Sequence, residues 1–240
     1  MFDPFGDFET RGYLRNTQRE KDPDLIKVAE HALYRAHMGE ALRYLRGQRR
    51  LTYAHFLQVH RVLFGALYPW AGQDRAQLLP GAAVKKGSVI FCHPHDCEAA
   101  IEEGLRWAQD RGQMAARPGF IMGMFAYGHP FLDGNGRTML LVHAELCARA
   151  QMSIAWEHTR KADYLRALTR EIEDPHGGHL DRYLAPFVGL PIPPGQWTRL
   201  LGEMPGLDGA ANPDDEGVPY DQPGMADDQL AFEQRRGYQL

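Results

Sequence analysis

The stretch from Asn135 to Gln151 limits the fold more than any other, because it is apolar on nearly every side. Met139, Leu140, Leu141, Val142, Ala144, Leu146, Cys147 and Ala148 leave a helix no polar face to turn to water. Such a helix has to be surrounded by others, which places it at the centre of a bundle. It does not cross a bilayer: no apolar run in the 240 residues approaches the roughly 20 that spanning requires.

The rest of the chain supplies the shell. Ile26, Val28, Ala29, Ala32, Leu33, Ala36, Met38, Ala41, Leu42 and Leu45 recur at spacings of three and four, which predicts a helix from Leu25. Thr52 is placed to cap the next, which carries Phe56, Val59, Val62, Leu63 and Leu67. Further helices are expected over 94–112, 120–127, 161–173 and 179–188. Between them Val84, Val89, Ile90 and Phe91, bracketed by Pro80-Gly81 and Gly87-Ser88, read as a short hairpin or extended flap. The fold class is therefore all-α with one small β flap. Residues 1–24 form a lead-in and residues 25–190 the domain. Residues 191–240 form a tail whose Pro, Gly and acid content predicts poor order, with Trp197, Leu200 and Leu201 as docking candidates.

A net charge of −4 gives no electrostatic reason to expect nucleic acid or an anionic membrane as partner. The opening Met1-Phe2-Asp3-Pro4-Phe5-Gly6-Asp7 has neither the basic nor the apolar region of a secretory signal. Three cysteines do not pair into a disulfide framework and read as reduced thiols. Together these features suggest the cytoplasm. An exported bacterial effector whose signal is read by other machinery would look the same.

The chemistry concentrates in His129-Pro130-Phe131-Leu132-Asp133-Gly134-Asn135-Gly136-Arg137. Pro130 disfavours helix at His129, so the preceding helix stops there. A new helix begins near Gly134, and the stretch becomes a loop entering the N-terminus of the buried helix. Open N–H groups and the positive dipole end at such a place favour phosphate. Glycines on both sides of Asn135 let the backbone close on an anion. Arg137 in the first turn opposes the dipole unless an anion compensates it. Asp133 offers a hard oxygen to a divalent ion that shares the phosphate oxygens. His129 accepts a proton near neutral pH. Any one of these residues alone is more simply a turn and a helix cap. Together, in this order, they are the parts of a phosphoryl or nucleotidyl transfer site.

These nine residues resemble the signature of the Fic family, H-P-F-x-[D/E]-G-N-G-R, matching at all eight specified positions. Tyr68-Pro69-Trp70-Ala71-Gly72 is similar to the family's Y-P-W-A-G element, and Gly87 to Pro94 to its flap and the exit from it. The resemblance covers roughly residues 10–190 and implies a Fic-fold helical bundle with a β-hairpin flap over the site. It implies transfer of AMP from ATP to a Ser, Thr or Tyr hydroxyl of a target protein, with His129 as the base. Phe131 would pin the loop, and Asp133 would hold Mg²⁺ against the phosphates. Gly134, Asn135, Gly136 and Arg137 would bind ATP. The flap, at Val89, Ile90 and Phe91, would align the target as an added strand.

The family's second arginine, three residues after the first, is Leu140 in this chain, which leaves room for another donor. The alternatives are a protein kinase, UMP or phosphocholine transfer on the same scaffold, or a silent nucleotide-binding module. The family's inhibitory pattern, [S/T]-x-x-x-E-[G/N], is not matched at Ser153–Glu157, Thr169–Glu173 or Asn212–Glu216. A separate small antitoxin-like protein is one expected regulator. Cys92-His93-Pro94-His95-Asp96-Cys97 offers zinc-ligand residue types, but a proline and a helix start splay them, so the flap exit is the simpler reading. His143 and Cys147 read as core, and Tyr68 and Trp70 as packing residues.

Overall fold

The computed structural model describes residues 2–202 and 216–240. Helix α1 is a single turn, Phe8–Arg11, in the lead-in. Helix α2, Pro23–Arg46, starts on an Asp22 cap with Pro23 in its first turn, where a missing N–H costs nothing. Helix α3, Tyr53–Phe64, opens on Thr52, which shares a reciprocal capping box with His55. The short α4, Arg75–Leu78, leads into strands β1, Ala82–Lys86, and β2, Val89–Ile90. Then follow α5, Cys97–Ala108; α6, Arg111–Ala116; α7, Pro118–Gly128; and α8, Asn135–Arg149. Strand β3, Ser153–Ile154, precedes α9, Lys161–Glu173, and α10, His179–Leu184, and pairs with β4, Val188–Gly189. The chain continues through α11, Trp197–Gly202; β5, Glu216–Pro219; and α12, Met225–Arg236.

Helix α8 is the expected central element, packed by α2, α3 and α7. It has company there, since every residue of α7 is buried, as are 12 of the 15 in α8. Both helices lack a polar face for the same reason: each is enclosed by neighbours. Val28, counted in the apolar stripe of α2, faces out instead.

The flap is a hairpin, with Lys86 opposite Val89 and Lys85 opposite Ile90. It is not isolated: β5 pairs antiparallel along the other edge of β1, giving the order β2-β1-β5. This departs from the reading of 191–240 as poorly ordered. Residues 203–215 of that tail lie outside the described residues, but 216–240 pack on the bundle. Met225 and Phe232 are buried, and Arg236 donates from Nε to the Ile172 carbonyl (2.9 Å) with its guanidinium 3.6 Å from the Tyr127 ring centroid. Composition counted the prolines and acids of this segment. What holds it are the four buried side chains of α12, Met225, Gln229, Phe232 and Arg236. Trp197 and Leu201, two of the docking candidates, are buried, and α11 packs on α2.

Candidate active site at the head of the central helix

Helix α7 ends at Gly128, and His129 caps it in the left-handed region (φ 37°, ψ 55°), costly for a side chain with a Cβ. Surrounding contacts hold it there. Arg75, fully buried, donates from Nε to the His129 carbonyl (2.7 Å) and from Nη2 to the Cys92 carbonyl (2.9 Å). The Arg75 N–H reaches the Pro130 carbonyl at 2.7 Å. The His129 ring lies flat against Phe91, centroids 3.7 Å apart and planes at 11°.

Phe131 drives the loop into the core, fully buried and stacked on His60 at 3.7 Å. Asn135 closes the loop from the helix side. Its Oδ1 accepts from the Phe131 N–H (2.9 Å), and its Nδ2 donates to the Phe131 carbonyl (2.7 Å). The Asn135 side chain is therefore committed to the loop, and what it offers an anion is its main-chain N–H. Gly134 sits at φ 79°, and a Cβ there would lie 2.6 Å from the Phe64 ring, so only glycine fits. Gly136 is the opposite case, since a Cβ there would meet nothing within 4 Å. The N–H groups of Asn135, Gly136 and Arg137 open α8 with no partner inside the helix.

Four charges converge beside these amides. Arg137 donates from Nη2 to Glu30 Oε2 (2.7 Å) and lies 3.6 Å from Asp133 Oδ1, while its Nη1 is buried without a hydrogen-bond partner. Lys27 Nζ bonds Asp133 Oδ2 and, at 3.1 Å, Glu30 Oε2. Tyr68 donates its hydroxyl to Glu30 Oε1 (2.5 Å). Burial alone would raise the Asp133 carboxyl, but Lys27 and Arg137, with hydrogen bonds from Lys27 and the Gly134 N–H, hold it well below the usual carboxylate range. Burial lowers His60 to about 3, so its ring is neutral at pH 7. Its Nδ1 accepts from the Gly72 N–H (3.0 Å), which leaves Nε2–H to donate to the Asp133 carbonyl (2.9 Å).

The structure thus brings His129, Asp133, Gly134, Asn135, Gly136 and Arg137 into one loop and helix start. Phe91 joins them through its stack on His129, whereas Val89 and Ile90 are buried within the hairpin. Lys27, Glu30 and Arg75 were missed by sequence reasoning. A charge in the apolar stripe of α2, at Glu30 between Ile26 and Tyr34, was the available signal. Tyr68 and Trp70 are packing residues as read, stacked at 4.6 Å. The thiols of Cys92 and Cys97 turn inward, 3.9 Å apart around Arg75, while His93 and His95 stack on each other away from them. His143 is buried and bonded to the Pro118 carbonyl (2.8 Å).

Residues 50–147, the stretch holding this loop and both flap strands, match the sequence profile of the Fic/DOC family. The chain carries a Fic/DOC-family domain. Over 175 residues it is 30% identical to the protein adenylyltransferase VbhT of Bartonella schoenbuchensis, covering 69% of this chain and 35% of VbhT. The chain thus spans about a third of that relative's length. It is 26% identical to the probable protein adenylyltransferase y4lH of Sinorhizobium fredii, over 65% of this chain and 82% of y4lH. The N-terminal Fic domain of a VirB-translocated Bep effector from Bartonella quintana, solved with bound ADP, shares the fold. It aligns with a TM-score of 0.62 at 19% identity, over 77% of this chain and 94% of that one. The Fic fold of the chain is the helical bundle described above, with its small hairpin.

The family implies a magnesium ion, and the donor set of this Fic domain fits one. Asp133 is an ionised carboxylate at the edge of the amide cradle, and magnesium commonly takes one or two carboxylates and completes its shell with water and phosphate oxygens. Asp133 Oδ1 already accepts from the Gly134 N–H (2.6 Å) and Oδ2 from Lys27, so Lys27 would have to yield Oδ2 to the ion.

Proposed function

We propose that the chain is a protein adenylyltransferase, moving AMP from ATP to a Ser, Thr or Tyr hydroxyl of another protein. One observation carries the reading: a buried guanidinium nitrogen of Arg137 has no partner, beside three open amides at the head of α8 and one loop from His129. A buried donor without an acceptor is costly, and a phosphate chain would supply the acceptor. The relatives named as adenylyltransferases and the ADP-bound neighbour are consistent with it.

In this reading the amides of Asn135, Gly136 and Arg137 receive the phosphate oxygens, with Gly136 leaving the approach clear. Arg137 turns Nη1 to the outer phosphates while Glu30 keeps its plane fixed. Asp133 would hold magnesium, which neutralises phosphate charge when bound. His129 takes the proton from the target hydroxyl as that oxygen bonds to the α-phosphorus. The bond from the α-phosphorus to the oxygen bridging it to the β-phosphate breaks, and pyrophosphate leaves. Arg75 and Phe91 fix the imidazole by its backbone and its face, so it needs no reorganisation to act. A separate inhibitory protein of the family's kind would not find its usual arginine here, since Leu140 is a buried core side chain.

ATP labelled at the α-phosphate and, separately, at the γ-phosphate tests the assignment. Label from α should appear on protein and label from γ should not. His129→Ala should cut transfer by about 10²–10⁴-fold with nucleotide affinity preserved. Transfer from γ would make the chain a kinase, and no transfer with nucleotide still bound would make it a binding module.

A further inference from the structure

A strand edge carries a row of N–H and C=O groups that accept any extended segment of matching register. The flap hairpin has two such edges. On the β2 side the chain is committed just beyond the strand, where the Phe91 carbonyl accepts from Gln229 Nε2 (3.2 Å) and the Cys92 N–H donates to the Tyr127 carbonyl (3.1 Å), and α9 packs against β2. The remaining edge, on β1, carries β5, with Ala82, Ala83, Val84 and Lys85 opposite Pro219, Val218, Gly217 and Glu216. The Tyr220 N–H donates to the Gly81 carbonyl at 2.9 Å. Antiparallel pairs alternate, so 83/218 and 85/216 exchange main-chain bonds while 82/219 and 84/217 do not. Pro219, with no N–H to give, stands at a position that needs none.

We propose that β5 is a displaceable occupant of the flap's docking edge, held there until an extended segment of a target polypeptide takes its place. This rests on the adenylyltransferase reading for the identity of the incoming strand, not for the weakness of the resident one. Three features make β5 a weak resident. Gly217 and Pro219, half of its residues, are poor strand formers. None of its four residues is buried; Val218 alone packs a side chain on the core, with Gly217 against the Phe2 ring, and main-chain bonds supply the rest of its hold. Tyr220, which follows it and stacks on His93 at 4.9 Å, keeps its hydroxyl buried without a partner. By contrast α12 is anchored independently, through Met225, Phe232 and Arg236. β5 can therefore leave while the helix after it stays. Its departure frees an edge one strand from the segment whose Phe91 lies against His129, where a bound chain would be held near the base.

Amide hydrogen exchange on the full chain tests the displacement without any activity. The N–H groups of Ala83, Lys85 and Val218 should exchange roughly tenfold faster than those of Phe91, Cys92 and mid-α12, because they open with β5 alone. Equal protection would make β5 a permanent third strand and end the proposal. A covalent clamp tests the consequence. Ala82→Cys with Pro219→Cys places two thiols at a non-hydrogen-bonded pair, where a disulfide closes the edge. The oxidised clamp should lose roughly tenfold in α-label transfer to protein and recover with reductant, while ADP affinity by calorimetry stays within about twofold. Val218→Pro, which removes a bond to β1, should raise transfer severalfold. Undiminished transfer by the oxidised clamp, or diminished transfer by Val218→Pro, would overturn the proposal. If the native chain transfers no label, the adenylyltransferase reading falls, and exchange alone decides whether β5 opens.

Discussion

Lys27, Glu30, Asp133 and Arg137 sum to zero charge, and each is held by an opposite one. Burial lowers Lys27 and Arg137, but the two carboxylates more than offset it and hold both cations above their ordinary values. Removing one member exposes what it was balancing. Lys27→Met should cost about 1–3 kcal/mol of stability in chelator, because Asp133 loses its nearest cation. The same variant should gain more in melting temperature from added Mg²⁺ than the native chain does, since no ammonium then competes for Oδ2. An equal Mg²⁺ response in both would remove Asp133 as the metal ligand. Arg75 acts differently, touching only backbone and thiols of the loop and the flap exit. Arg75→Met strands the His129 and Cys92 carbonyls and should cost about 3 kcal/mol in urea unfolding. Transfer should fall further than nucleotide affinity, because what moves is His129 and not the head of α8.

The head of α8 was legible in the sequence because its causes are local. Pro130 stops one helix, Gly134 turns the chain, and Asn135 braces the turn, all within six residues. The charges that tune it were not legible as a set, because Glu30 and Lys27 come from α2, more than a hundred residues away. The two glycines, alike in the motif, separate in the structure. Gly134→Ala forces a Cβ into the Phe64 ring at a positive φ and should lose both stability, by roughly 2 kcal/mol, and nucleotide affinity. Gly136→Ala meets open space inside a helical turn and should leave stability equal or raise it by about 0.5–1 kcal/mol. Yet its new methyl stands over the amides, so ADP affinity by calorimetry should fall. Unchanged affinity in Gly136→Ala would mean that the phosphates approach elsewhere.

At the scale of the whole molecule, the bundle was readable from periodicity, while its closing pieces were not. β5 is four residues with a glycine and a proline, invisible to any strand pattern, and α12 hides its few anchors in an acidic segment. What the assembled bundle adds is sealed imidazoles, and these set its response to acid. His143 lies fully buried on α8, facing the Pro118 carbonyl, the Cys147 thiol and the edge of Trp156, with Asp181 the charge that acts on it. Burial lowers it to about 4, against the weaker pull of the Pro118 carbonyl and Asp181. In the unfolded chain it titrates near its ordinary value of 6.5. Between those two values the unfolded state carries one more proton, so stability rises with pH in that window. The contribution is complete above pH 6.5 and is lost as pH falls toward 4, at about 1.4 kcal/mol per pH unit. His60, lowered to about 3 by burial, acts in the same sense. Urea unfolding followed from pH 7 to 4.5 should therefore show a steadily falling midpoint. His143→Asn should start lower, having lost its packing, but descend less steeply by close to one proton. Parallel descent in the two proteins would mean that His143 is charged in the folded bundle, and that the space between α7 and α8 admits water.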